Sequence, residues 1–186
     1  GRWVGYQLGR ILEPDTIHLN DGLSNGGFVH AYSRREKPGT YFRSGSSSGG
    51  WGVGAAFGAK LAAPEREIVF ASGAGFFSFG TPMAALWAAR FHKAPFLSVV
   101  FVNGTYSTGT STLRDTYPDG YAVRNNNYAG GSFEPPPDFA KLAESAGGYG
   151  ENVTETAEVG PALARGLKQV RDGVAAVIAV RVPAPV

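Results

Sequence analysis

The sequence predicts an α/β fold in three layers, with helices on both faces of a mainly parallel sheet. The first observation is a pair of apolar runs, 68–71 and 96–102, because strands covered on both faces read as continuous apolar stretches. The second is the helical segment between them, which begins near Thr81 and Pro82 and continues through Phe91. The third is that strands and helices alternate along the whole chain, which is typical of a parallel sheet.

Local patterns predict the remaining elements in chain order. Apolar periodicity and capping residues predict further helices at 2–12, 27–36, 51–62, 138–146 and 158–171. Apolar or β-branched runs predict further strands at 16–20, 40–43, 149–153 and 174–182.

Three details of this assignment can be tested directly. Asn25 and Thr81 are expected to cap the helices that follow them. Residues 107–137 are rich in Gly, Asn, Thr and Pro and are predicted to form a long loop, which in a compact domain is usually functional or disordered. Trp51 and Trp87 are expected in the core.

Composition restricts the function classes. The 186 residues are 43% hydrophobic and 17% charged, with a net charge of +2 and no cysteine, so we expect one domain spanning 1–186. The small net charge and the absence of a dense basic run argue against nucleic acid. The first residues lack the apolar core of a signal peptide, and no segment is long enough to span a bilayer, so we expect a cytoplasmic protein.

The central strand–helix–strand unit carries the candidate site. Its first strand leads into Gly73-Ala74-Gly75, and its second leads into Asn103-Gly104-Thr105. Ligands of parallel sheets bind beyond the carboxyl ends of the strands. The two turns are therefore expected side by side at a binding cleft.

The chain resembles the C-terminal, diphosphate-binding domain of thiamine-diphosphate-dependent enzymes, in the branch of acetolactate synthase, benzoylformate decarboxylase and benzaldehyde lyase. The family pattern is Gly-Asp-Gly, roughly 25 to 30 residues, then Asn; here residues 76 to 102 separate Gly75 from Asn103. The segments 41–45 and 50–56 are similar to the family's cofactor loop and the helix after it, and 19–21 stands where the family often has Asn-Glu. The resemblance covers nearly the whole chain.

The resemblance implies the thiamine-diphosphate-binding fold, with thiamine diphosphate and Mg²⁺ as cofactors. Asn103 would bind Mg²⁺ through its amide oxygen and Thr105 through its backbone carbonyl. The residues expected near the organic cofactor are Ser44, Gly45, Ser48, Gly49, Gly50, Gly73, Ala74, Gly75, Phe76 and Tyr106. No catalytic residue is expected in this chain, because in the family the activating glutamate comes from a separate pyrimidine-binding domain.

Three positions depart from the family pattern. Ala74 replaces the aspartate that binds Mg²⁺, Phe76 stands where many relatives have serine, and Gly49 aligns with the bulky aliphatic residue that holds the cofactor bent. Two functions are therefore considered. The chain is a cofactor-binding domain or subunit of an enzyme that makes or breaks a carbon–carbon bond next to a carbonyl, or a non-catalytic partner with a degenerate site.

The first of these hypotheses, a domain of an enzyme, requires a pyrimidine-binding domain or a second subunit, in a homo- or hetero-oligomer. It also requires a small 2-oxo acid or acyloin substrate. A remote alternative is a nicotinamide dinucleotide-binding domain, since Gly50-x-Gly52-x-x-Ala55 matches a weak fingerprint. The three histidines show no metal-binding spacing.

Overall fold

The computed structural model describes residues 1–44 and 48–184 and has the predicted α/β architecture. In this part of the chain the strands, in order, are β1 (Ile17–Asp21), β2 (Tyr41–Arg43), β3 (Ile68–Gly73), β4 (Leu97–Val102), β5 (Tyr149–Val153) and β6 (Ala176–Arg181). They form one sheet in the order β2–β1–β3–β4–β6–β5, and every neighbouring pair is parallel. The predicted parallel sheet is therefore confirmed.

One helix precedes β1, and the others occupy the connections between the strands. In chain order they are α1 (Arg2–Ile11), α2 (Gly26–Ser33), α3 (Gly52–Ala62), α4 (Ala74–Phe79), α5 (Pro82–Phe91), α6 (Ser107–Thr116), α7 (Tyr121–Arg124), α8 (Phe139–Ser145) and α9 (Val159–Arg171). Six of them, α1, α2, α3, α5, α8 and α9, match helices predicted from the sequence, with ends that shift by up to three residues.

The helices lie on two faces of the sheet, as the predicted three layers require. Buried residues of α1, α2 and α9 pack on one face, and those of α3, α4, α5 and α8 pack on the other. Connections that move toward β2 place their helix on the first face, and those that move toward β5 place it on the second. This division is expected when all the β–α–β crossover connections have the same handedness.

Strand β3 shows why the apolar strands do not alternate between apolar and polar residues. Val69 and Ala71 belong to the core under one helical layer, and Ile68 and Phe70 belong to the core under the other. All four side chains are fully buried. Both faces of the strand need apolar residues because both faces are covered.

The prediction of one long loop over 107–137 is wrong, because α6 and α7 lie within it. Ser, Thr and Gly are weak helix formers, and their abundance led to that prediction. In α6 the hydroxyl groups of Thr110 and Thr112 donate back to carbonyl oxygens of Ser107 and Thr108 at 3.0 and 2.9 Å. The side chains thus bond within the helix instead of competing with it.

Two capping predictions also need correction. Asn25 and Thr81 do occupy the N-cap positions of α2 and α5, but neither side chain accepts a capping hydrogen bond. Thr81 adopts a left-handed conformation with φ of 51°, whereas N-cap residues typically have an extended backbone. Pro82 does occupy the first position of α5, where its missing N–H costs no hydrogen bond.

The core prediction fails for one of the two tryptophans. Trp87 is 58% exposed and stacks on Phe91, with ring centroids 5.3 Å apart, on the outer surface of α5. Trp51 is half-buried at the start of α3 and packs against the second core.

A cleft between two strand ends

The turn after β3 begins α4 and provides one wall of the candidate site. Gly73 is the last residue of the strand, and Ala74 is the first residue of the helix. A methyl group added to Gly73 would meet nothing within 4 Å, so the space beyond this backbone is open. Ala74 is 3% exposed and packs with the second core, so the position that carries aspartate in the family pattern is apolar here.

The turn after β4 provides the facing wall. The amide oxygen of Asn103 accepts a hydrogen bond from the backbone N–H of Thr105 at 3.2 Å. The amide nitrogen of Asn103 donates to the hydroxyl of Ser107, also at 3.2 Å. These two bonds fix the orientation of the Asn103 side chain and distinguish its oxygen from its nitrogen.

A cleft of about 350 Å³ lies between the two turns. The predicted site residues that line it are Gly73, Ala74, Gly75, Phe76, Asn103, Thr105 and Tyr106. Gly22 and Ser24, which follow β1, contribute to the lining from the neighbouring strand end. Among the described residues that line the cleft there is no charged side chain, so no carboxylate replaces the one missing at Ala74.

The described end of the loop after β2 meets the Phe76 ring. Gly49 packs directly on this ring, so that a methyl group at position 49 would overlap it. Phe76 also lines a small second cavity with Ser44, and neither Gly49 nor Gly50 lines the main cleft. Two of the departures from the family pattern are thus one packing unit, in which the aromatic ring occupies the space that a side chain at Gly49 would need.

Two other predicted loop residues need separate mention. Ser48 is exposed at the described end of this loop, and it does not line the main cleft. Gly45 lies outside the described residues.

Asp21 attaches this loop to the sheet. Its carboxylate accepts hydrogen bonds from the backbone N–H groups of Gly50 and Gly52 at 2.9 and 3.2 Å. The side chain is 5% exposed, and this burial raises the pKa of Asp21, while the two N–H groups oppose the rise. Since the carboxylate is already engaged with the loop, its structural role is to hold β2–α3 against β1.

Tyr106 belongs to an aromatic cluster that sequence reasoning did not identify. Its ring is parallel to that of Phe79 at 5.9 Å and perpendicular to that of Phe133 at 5.1 Å. The same ring lies over Gly75, where an added methyl group would be 2.6 Å from a ring carbon. Phe133 lay in the segment predicted to be a loop, and no local pattern connects it with Tyr106.

The described cleft offers neutral oxygen donors that a diphosphate–Mg²⁺ group could use, and no charged side chain lines it. Asn103 and the Thr105 carbonyl are oxygen donors of the kind that Mg²⁺ accepts, and they stand beside the open space at Gly73. Proteins usually add one or two carboxylates to such a site. Within 1–44 and 48–184, no group of three or more acidic or histidine side chains could hold a metal ion.

The dinucleotide alternative finds little support in the topology. Gly50 and Gly52 follow β2, which is an edge strand, whereas the dinucleotide fingerprint opens the first unit of a sheet ordered 3-2-1-4-5-6. The order here is 2-1-3-4-6-5.

Relatives of known activity are similar to this chain over half of its length or more. Sulfoacetaldehyde acetyltransferase of Castellaniella defragrans is 30% identical over 177 residues, which are 90% of this chain and 27% of the relative. Benzoylformate decarboxylase of Pseudomonas aeruginosa is 37% identical over 99 residues, which are 52% of this chain and 18% of the relative. The chain thus corresponds to about a quarter of the first of these proteins.

Solved structures share the fold. The thiamine diphosphate-dependent 4-hydroxybenzoylformate decarboxylase of Rhodococcus jostii RHA1 superposes with a TM-score of 0.84 at 24% identity, over 99% of this chain and 32% of that one.

In the described residues, none of the helices combines the length and apolarity needed to cross a membrane.

The family itself is shown by a match to the model of the thiamine pyrophosphate enzyme, C-terminal TPP binding domain, over residues 22–180. TPP is thiamine diphosphate, and enzymes that depend on it typically also use Mg²⁺. The chain belongs to the family of C-terminal TPP-binding domains of thiamine pyrophosphate enzymes.

Proposed function

We propose that this chain is the cofactor-binding domain or subunit of an enzyme that makes or breaks a carbon–carbon bond next to a carbonyl, as 2-oxo acid decarboxylases and acetolactate synthases do. One observation carries the proposal: the turns at Gly73–Gly75 and Asn103–Thr105 face each other across one cleft at adjacent strand ends. Benzoylformate decarboxylase and acetolactate synthases are among the relatives of the chain. The substrate would be a small 2-oxo acid or an acyloin.

In this proposal the chain's own residues bind and orient. The amide oxygen of Asn103 and the carbonyl of Thr105 would hold Mg²⁺. The diphosphate would lie against the backbone at Gly73, which is open, and at Gly75, which lies under the Tyr106 ring. Tyr106 and Phe76 would form the apolar walls of the cleft. When bound, thiamine diphosphate supplies an electron sink for the carbanion that forms next to the carbonyl.

The domain would act only with a pyrimidine-binding domain, on the same protein or on a second subunit. The chain spans about a quarter to a third of the relatives and solved structures that it matches over most of its length. Native mass spectrometry of the intact protein with its natural partners tests this point. The expected complex contains a pyrimidine-binding domain and a mass increment for thiamine diphosphate; a species without that domain would contradict the split-site proposal.

A second function, a non-catalytic partner with a degenerate cofactor site, is favoured by Ala74. Because no carboxylate lines the described cleft, a cation there would take its negative ligands from the phosphates alone. The discriminating change is Ala74→Asp, with the uncharged, isosteric Ala74→Asn as control. Thiamine diphosphate affinity would be measured by isothermal titration calorimetry in the intact protein, with Mg²⁺ and with EDTA.

If the site is degenerate, Ala74→Asp should strengthen Mg²⁺-dependent binding at least about tenfold, which corresponds to about 1.4 kcal/mol. Ala74→Asn should give little gain, since it adds no charge. Tight binding by the wild type without further gain in Ala74→Asp would instead support a working site with a neutral ligand set. That result would contradict the partner-only function.

A further inference from the structure

The segment Gly131–Glu134 crosses the turn that carries the two neutral oxygen donors. The backbone N–H of Phe133 donates to the carbonyl of Gly104 at 2.8 Å, and the N–H of Tyr106 donates to the carbonyl of Gly131 at 2.9 Å. These bonds flank an isolated antiparallel bridge between Thr105 and Ser132. A short two-stranded ribbon therefore covers this turn, and residues 131–134 are its outer strand.

The register of this ribbon determines where the Thr105 backbone points. The two flanking bonds come from the neighbours of Thr105 and Ser132, so these two residues form a non-hydrogen-bonded pair. In such a pair the N–H and C=O of each residue point away from the partner strand. Consistent with this geometry, the Thr105 N–H bonds to the Asn103 side chain, and the Thr105 carbonyl must point to the same side of the ribbon.

The ribbon is attached to the central sheet by an ion pair. The carboxylate of Glu134 accepts a hydrogen bond from the guanidinium of Arg181, the last residue of β6. Arg181 is in register with Val102 of β4, directly before the donor turn. The Glu134 carboxylate also lies against Gly104, where φ is +73° and an added methyl group would overlap it.

Aromatic packing connects the same ribbon with the opposite wall of the cleft. Phe133 is half-buried and meets the ring of Tyr106 edge-on, and that ring lies over Gly75 in α4. A shift of the ribbon would therefore move both the donor turn and the Tyr106 wall.

We propose that residues 131–134, anchored by the Glu134–Arg181 pair, are a strap that holds the Asn103–Thr105 turn with its Thr105 carbonyl directed at the cation. Glu134 and Arg181 do not line the cleft, so they are positioning residues and not ligands. This inference rests on the proposed function only for the identity of the ligand. The hold of the strap on the turn is a property of the chain itself.

The test uses the intact protein, four variants of the pair and one control variant. Glu134→Gln and Arg181→Gln each remove one charge of the pair, Glu134→Gln/Arg181→Gln removes both, and Arg181→Lys keeps the positive charge. Asp172→Asn is the matched control, because it breaks the 2.5 Å ion pair between Lys168 of α9 and Asp172, which follows that helix, and leaves the strap untouched.

Two quantities are measured for each variant. Isothermal titration calorimetry gives the affinity for thiamine diphosphate with Mg²⁺ and with EDTA, and amide hydrogen exchange gives the protection of the Tyr106 and Phe133 N–H groups. We expect each Gln variant to weaken Mg²⁺-dependent binding about two- to fivefold, which is the range for a partly exposed ion pair. The double variant should be no weaker than either single one, and Arg181→Lys should recover most of the loss.

The ratio of the affinity with Mg²⁺ to the affinity with EDTA separates the two possible effects. Loss of positioning of the Thr105 carbonyl lowers only the affinity with Mg²⁺, whereas general destabilisation of the protein lowers both affinities. Faster exchange at Tyr106 and Phe133 in the Gln variants, but not in Asp172→Asn, supports the strap. Wild-type-like affinity ratios and exchange in the Gln variants would overturn it while leaving the proposed function intact. If the wild type binds no thiamine diphosphate, the proposed function fails, and the exchange rates alone then decide whether the strap holds the turn.

Discussion

His18 makes a specific prediction about acid stability. It lies on β1, is 0% exposed, and meets the Tyr41 ring edge-on at 5.9 Å. Neither ring nitrogen has a hydrogen-bond partner among the described residues. Burial, helped by the positive charge of Arg35, lowers the pKa of His18 from 6.5 to about 3.

The sign follows from which state binds the proton. As the pH falls below 6.5 the unfolded chain protonates His18, whereas the folded protein does not until about pH 3. The stability that the neutral ring contributes is therefore complete above pH 6.5 and is lost progressively between pH 6.5 and 3. pH 5 lies about 1.5 units below 6.5, the ordinary pKa of the histidine side chain. At about 1.36 kcal/mol per unit, this lowers the free energy of unfolding at pH 5 by about 2 kcal/mol.

His18→Leu removes this dependence, because leucine is of similar size and does not titrate. Urea unfolding, followed by tryptophan fluorescence at pH 7.5 and pH 5.0, measures the loss of stability in each protein. The wild type should lose about 2 kcal/mol more than His18→Leu between these two pH values. Contributions from carboxylates, including Asp21 with its raised pKa, occur in both proteins and cancel in the difference.

The control is His92→Gln, which replaces an exposed histidine and leaves the buried His18 in place. Equal losses in the wild type and in His18→Leu would refute the reasoning, since they would mean that His18 is protonated in the folded protein near its ordinary pKa.

Two further predictions concern the loop after β2. Gly49→Leu should destabilise the protein by about 1–3 kcal/mol in urea unfolding, because the new side chain overlaps the Phe76 ring; Gly49→Leu/Phe76→Ala should recover much of that loss, and an additive double variant would contradict the overlap. Asp21→Ala leaves the N–H groups of Gly50 and Gly52 without their acceptor and should cost about 1–3 kcal/mol. Faster amide exchange at these two glycines is the accompanying measurement, and unchanged exchange would show that the loop is held by other contacts.

The order of elements could be predicted from the sequence because it depends on local patterns. The apolar runs of β3 and β4 and the periodic spacing in α8 and α9 identified these elements to within two residues. Since parallel strands align their carboxyl ends, the same patterns predicted that Gly73–Gly75 and Asn103–Thr105 would line one cleft, and both do. Their roles as cofactor and metal ligands stay predictions.

The sequence by itself determined the α/β class, the strand–helix order and the position of the cleft, since each depends on residues close together in the chain. The tertiary structure alone decided which distant side chains share one volume. Phe76 fills the space over Gly49, Trp87 faces outward, and Glu134 covers Gly104. No spacing rule encodes these placements, because each depends on how segments distant in the chain are packed against one another on the whole sheet.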